Sequence, residues 1–207
     1  MPEDIQDEYV EHTRTADEVA RRCIVLYAVV AAGHDEPRDD LFAWLQREQL
    51  WDAVSPAESA FLLADSPTER QCIHATWRAE ALFPLLWSLG LISELPSPQQ
   101  LCDVQLLRSV LPPLLSSVGD FIASAHLRDE AALHAANEEI YQIHWRVRDA
   151  QLRGEPPQPG KLPRMPHPEC EPPAEAYDPG VVQERHYALN WLIGYCGQDW
   201  DDITTDT

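Results

Sequence analysis

Positive charge is what this chain has least of. Lysine and arginine together number 15 against 35 aspartate and glutamate residues in a chain of 207, for a formal net charge of -20. Such a composition repels phosphate backbones, which excludes a general DNA- or RNA-binding surface, and the same sign disfavours anionic membranes. Long apolar runs are missing as well. The longest, Ala81 to Ile92, is too short to span a bilayer and is broken by Pro84, Ser88 and Gly90. Residues 1–13 carry Glu3, Asp4, Asp7, Glu8 and Glu11 where a secretory leader needs a basic and then an apolar segment. The five cysteines, Cys23, Cys72, Cys102, Cys170 and Cys196, are odd in number, widely spaced and without a C-x-x-C pair. They form neither a disulfide framework nor a zinc knuckle, so a reducing, cytoplasmic location is expected. Cys23, Cys72 and Cys196 fall at helical spacing and are expected to be small buried hydrophobes.

Catalytic signatures are equally sparse. The chain has no Gly-rich phosphate loop, no H-E-x-x-H, no paired Glu-x-x-His motifs, no nucleophile elbow and no Cys–His signature. Asp199, Asp201 and Asp202 lack the glycine and distal glutamate of an EF-hand loop. No cofactor and no metal is therefore expected, long-range ligation by His144, His186 and a carboxylate being the weak remaining metal reading.

What is present reads as a series of capped helices. Thr15 to Glu18, Ser55-Pro56 to Glu58, Ser66-Pro67 to Glu69 and Ser97-Pro98 to Gln100 each fit a capping box. After Thr15, the residues Ala20, Cys23, Ile24, Tyr27, Ala28 and Ala31 form one buried stripe that Gly33 ends. A second helix starts near Pro37, a short third at Pro56, and a fourth runs from Pro67 to Leu89 with a kink expected about one turn before Pro84. Leu101 to Leu111 is expected to be helical, and Phe121 to Ala125 to make about a turn. A long helix follows from Asp129 to Arg153, with Leu133, Ala136, Ile140, Ile143 and Val147 on its stripe and Gly154 as its cap. The last helix begins at Asp178-Pro179, and Gly197 is its expected stop. With no useful alternating run, the class is all-α: a single-domain irregular helical bundle of about seven helices. The domain spans 14–207 behind an acidic tail, 1–13, expected to be disordered. Residues 155–179 hold 9 of the 18 prolines and read as a stiff extended connector before the last helix.

Polar side chains crowd three of these helices. Trp77, Arg78 and Glu80 lie in the fourth. His144 lies on the inward face of the long helix beside Trp145, Arg148 and Asp149, and the last helix carries Glu184, Arg185, His186, Tyr187, Asn190 and Trp191. A buried Arg148 or Arg185 demands a carboxylate such as Glu80, Asp149 or Glu184, so these groups are expected to meet. Two outcomes stay open: a hydrogen-bonded network that fixes helix register, or a pocket for a small polar ligand or acid-base chemistry.

The segments Trp77-Arg78-Ala79-Glu80-Ala81-Leu82, His144 to Ala150 and Glu184 to Leu192, followed by Gly197-Gln198-Asp199-Trp200-Asp201-Asp202, resemble the bacterial family called domain of unknown function 4272 (DUF4272), as do Thr13 to Glu18 and Leu50 to Pro56. The resemblance implies a soluble, mostly helical bacterial protein and assigns no chemistry. The expected function is that of a non-catalytic interaction or regulatory protein whose acidic surface meets a basic protein partner. The alternative is an enzyme or small-ligand-binding protein using a His/Arg/carboxylate pocket between the fourth, long and last helices.

Overall fold

The computed structural model describes residues 12–153 and 177–207, so most of the acidic tail, the Gly154 cap, Cys170 and nearly all of the Pro-rich connector lie outside the described residues. Eight α-helices occur among them and no strand. These are α1 (Ala16–Gly33), α2 (Arg38–Arg47), α3 (Pro56–Leu62), α4 (Glu69–Ser88), α5 (Leu107–Val110), α6 (Gly119–Ala123), α7 (Glu130–Arg153) and α8 (Pro179–Ile193), with short 3-10 turns including Trp200–Asp202.

The central helix is α1, buried on nearly every face from Val19 to Ala32. Its start is local chemistry: the Thr15 hydroxyl accepts from Glu18 N–H at 3.3 Å while Glu18 Oε2 accepts from Thr15 N–H at 2.7 Å. Thr15→Ala removes half of that reciprocal cap and lowers stability by about 1 kcal/mol, readable as a shifted urea midpoint at unchanged m-value. The C-terminal end of α1 lies directly against α4. A Cβ on Gly33 would stand 2.9 Å from the Thr76 backbone nitrogen and 3.0 Å from the Cys72 carbonyl, so only glycine permits this approach. Beyond α4, α8 packs across it and α7 covers α8, which brings the three polar-rich helices side by side.

Several boundaries differ from the sequence expectation. The fourth helix is capped by Thr68 and Gln71 rather than by Ser66 and Glu69. It runs through Pro84 as one helix; the bond lost is the one that the Glu80 carbonyl would accept. Leu101 to Leu111 is not one helix: the Cys102 N–H at its start donates to Glu80 at 2.6 Å, and the preceding Pro98 carbonyl accepts from Asp178 N–H. Only the 3-10 turn Val104–Leu106 and α5 form there. Asp178 caps α8 as expected, accepting from Gly180 N–H and Val181 N–H, but the helix stops at Gly194, in the left-handed region at φ 75°, and not at Gly197. Cys23 is buried, Cys72 half-buried and Cys196 exposed, since the chain has already left α8 before Cys196.

Candidate functional site

Glu80 on α4 and Arg185 on α8 form the most deeply buried ion pair, each side chain 3% exposed. Arg185 Nη2 and Nε donate to Glu80 Oε2 at 2.8 and 3.2 Å, and its remaining N–H groups reach the Pro96 and Gln100 carbonyls. The other Glu80 oxygen takes the Cys102 N–H. One arginine and one carboxylate thus tie two helices to the irregular 96–102 segment, with their polar atoms satisfied internally.

His144 on α7 and His186 on α8 meet at 2.9 Å through their Nδ1 atoms, both rings buried. For that contact one Nδ1 carries the proton and the other accepts it. Burial and His144 push the His186 pKa down to about 4, offset in part by Asn190 and Asp206. His144 is lowered by burial and by Arg148. Both imidazoles are therefore held neutral. Asn190 continues the seam, accepting from Asn137 Nδ2 at 2.7 Å and donating to the Thr204 carbonyl at 2.8 Å, which ties the C-terminal segment to α7 and α8.

A third group joins α1, α4, α8 and the last 3-10 turn around Trp200. Arg78 pairs with Glu184 at 3.0 Å and lies 4.7 Å from the Tyr187 ring centroid. The Tyr187 hydroxyl donates to the Trp200 carbonyl, and burial raises its pKa to about 12. The Trp200 ring stacks edge-on against Tyr187 and Trp191, with the Arg22 guanidinium 4.7 Å above it. Arg22 in turn is paired with Glu58 at 2.7 Å, and Arg14 lies over Trp191 while donating to the Gln198 carbonyl. Cations sandwiched by aromatic faces keep their attraction when desolvated. The acidic terminus is thus a packed element anchored by Trp200.

The structure brings together Arg78, Glu80, His144, Glu184, Arg185, His186, Tyr187, Asn190 and Trp191, and lays the Trp77 ring against Gly180 at the start of α8. It does not bring Arg148 and Asp149 with them. Arg148 is exposed and donates to Gln151, while Asp149 pairs with Arg153 on the same helix. Trp145 is half-buried and makes no hydrogen bond or ring contact among the described residues. Arg14, Arg22, Glu58 and Trp200 were not anticipated as members of the network. The available signal was Arg22 sitting between Val19 and Cys23 in an otherwise apolar stripe.

Most of these polar groups face one another, and Arg185 also borders a cleft of about 680 Å³ between α4, the 93–98 segment, α7 and α8. A second cleft, about 370 Å³, lies between α1, α3, α4 and Asp201, with Arg70, His74 and Arg78 along one wall. Among the described residues no group of three or more His, Cys, Asp or Glu is placed to hold a metal ion, and no helix is long and apolar enough to cross a membrane.

No curated protein and no solved structure matches this chain. A family model, described as Domain of unknown function (DUF4272), matches residues 4–203, nearly the whole length and all three polar helices. The chain belongs to the DUF4272 family.

Proposed function

We propose that this is a non-catalytic interaction or regulatory protein whose acidic exterior engages a basic protein partner. The observation that carries the reading is where the arginines go. Arg14, Arg38, Arg47 and Arg128 donate to backbone carbonyls, and Arg22, Arg78 and Arg185 lie against buried or half-buried carboxylates. Much of the scarce positive charge is thus committed to internal acceptors, although Arg47, Arg70, Arg108, Arg148 and Arg153 remain exposed, and the net charge of -20 leaves acidic groups in excess. One corner gathers several of them: Asp35, Glu36, Asp39 and Asp40 are all exposed around the start of α2, and none pairs with a cation among the described residues. An acidic field of this kind steers a basic partner and accelerates its encounter, an effect that salt suppresses. On this reading the His/Arg/carboxylate groups of α4, α7 and α8 hold helix register.

The test is capture of basic proteins from a cell lysate at about 50 mM and about 500 mM salt, at either side of the range in which the Debye length falls well below protein dimensions. A partner retained at low salt, released at high salt and weakened in the variant D35N/E36Q/D39N/D40N is the expected result. Retention no greater than that of an unrelated acidic domain of equal charge contradicts the reading.

A further inference from the structure

Most arginines in the described residues end on an internal acceptor; Arg70 does not. It stands exposed on α4, one turn before His74 and two before Arg78, a spacing that puts the three side chains on one helix face about 6 Å apart along the axis. That face is a wall of the 370 Å³ cleft. We propose that this cleft is a binding site for a small oxyanion, a phosphate or carboxylate group on a short apolar body, held by Arg70, His74 and Arg78.

The hydrogen-bond donors left open in the cleft suit an anion. Its carboxylates are already engaged: Glu58 accepts from Arg22 at 2.7 and 2.9 Å and from Ser55 N–H, and Asp201 Oδ2 accepts from Ala57 N–H at 2.8 Å. Its cations keep open donors. Arg70 and His74 make no hydrogen bond or ion pair among the described residues, and Arg78, paired with Glu184 through Nη1 and lying over Tyr187, keeps its other N–H groups. Burial and the neighbouring Arg78 and Arg70 lower the His74 pKa, leaving a neutral ring that lacks a counter-charge. An oxyanion bound between these groups supplies it and favours protonation of His74. The charged groups facing His74 are then Arg70 and Arg78 on its own helix, Glu58 on α3 and Asp201 on the last turn. Val29, Phe61 and Ala75 line the remainder with apolar surface, and the volume suits a small molecule. Pairing at contact distance acts inside the Debye length of about 8 Å, so the distant acidic surface does not cancel it.

This site is independent of the acidic-surface reading, and either can fail alone. The experiment is a titration of the full chain at constant ionic strength, followed by amide NMR, with inorganic phosphate, phenyl phosphate and benzoate as probes. Shifts clustered at residues 70–78, 57–61 and 201 are expected. Phenyl phosphate is expected to bind at least about tenfold more tightly than inorganic phosphate because its ring is buried, and benzoate, whose charge is the same at both pH values, is expected to bind more tightly at pH 6 than at pH 8. Benzoate tells a carboxylate site from a phosphate site by whether it binds as well as phenyl phosphate. Arg70→Ala with His74→Ala weakens binding about tenfold or more while the melting temperature stays unchanged, since both residues are exposed. Perturbations spread elsewhere, none with any of the three probes, or binding that survives the double variant overturns the proposal.

Discussion

Replacing Glu80 by alanine is expected to lower stability by about 3–5 kcal/mol and, for a domain of this size, the melting temperature by about 10 °C. The substitution leaves Arg185 charged and 2% exposed with no carboxylate to neutralise it. It also strips the Cys102 N–H of its acceptor, and a buried donor left unmade adds its own desolvation cost. The 96–102 segment should loosen with it, because Arg185 holds the Pro96 and Gln100 carbonyls only while Glu80 orients it. Arg185→Met alone leaves Glu80 buried and unpaired and is expected to be nearly as damaging. The double variant Glu80→Leu/Arg185→Met is expected to be more stable than either single change, since removing both charges removes the penalty of isolating one. A double variant no better than the singles would show that the two charges do not depend on each other in the folded chain.

Acid is expected to unfold the protein through its two neutral histidines. In an unfolded chain a histidine titrates near 6.5, whereas His186 is held down to about 4. Between these values the unfolded state binds the extra proton and the folded state does not, so stability rises with pH across this window. It is complete above about pH 6.5, is lost progressively as pH falls toward 4, and levels off below. The loss attributable to His186 is on the order of 3 kcal/mol. His144 adds to the slope in the same direction, burial and Arg148 being its causes. The double variant His144→Gln/His186→Gln keeps hydrogen-bonding capacity on both helices and removes the titration. Its urea midpoints between pH 7 and 4.5 should be flatter than those of the parent; an unchanged slope would place the acid sensitivity elsewhere.

The parts of this fold legible in the sequence are those written locally. Thr15 with Glu18 and Ser55 with Glu58 are three residues apart, and both capping boxes form as read. Locality also explains the errors of register. Ser66-Pro67 and Thr68 offer rival caps two residues apart, and Gly194 and Gly197 rival stops, both at positive φ; the helix takes the inner one each time. Leu101 to Leu111 has helical composition, yet Glu80, distant in the chain, claims the Cys102 N–H at its start. The polar network was legible as a set and not as pairs. Arg185 finds Glu80 across 105 positions, which no spacing encodes. Arg148 follows His144 by one turn, and periodicity named the face without saying how far along α7 that face stays covered. Arg70, His74 and Arg78 have visible spacing, but the cleft they line exists only once α3 and the Trp200 turn pack beside α4.

An architectural interior and an acidic exterior that binds have separable consequences. They are tested most directly by capturing basic proteins at low salt with two variants side by side, their melting temperatures measured in the same buffer. H144Q/H186Q is expected to retain the partner, whereas D35N/E36Q/D39N/D40N is expected to lose it with its melting temperature unchanged. Loss of the partner by the folded histidine variant, with retention by the charge-neutralised one, would contradict that division of roles.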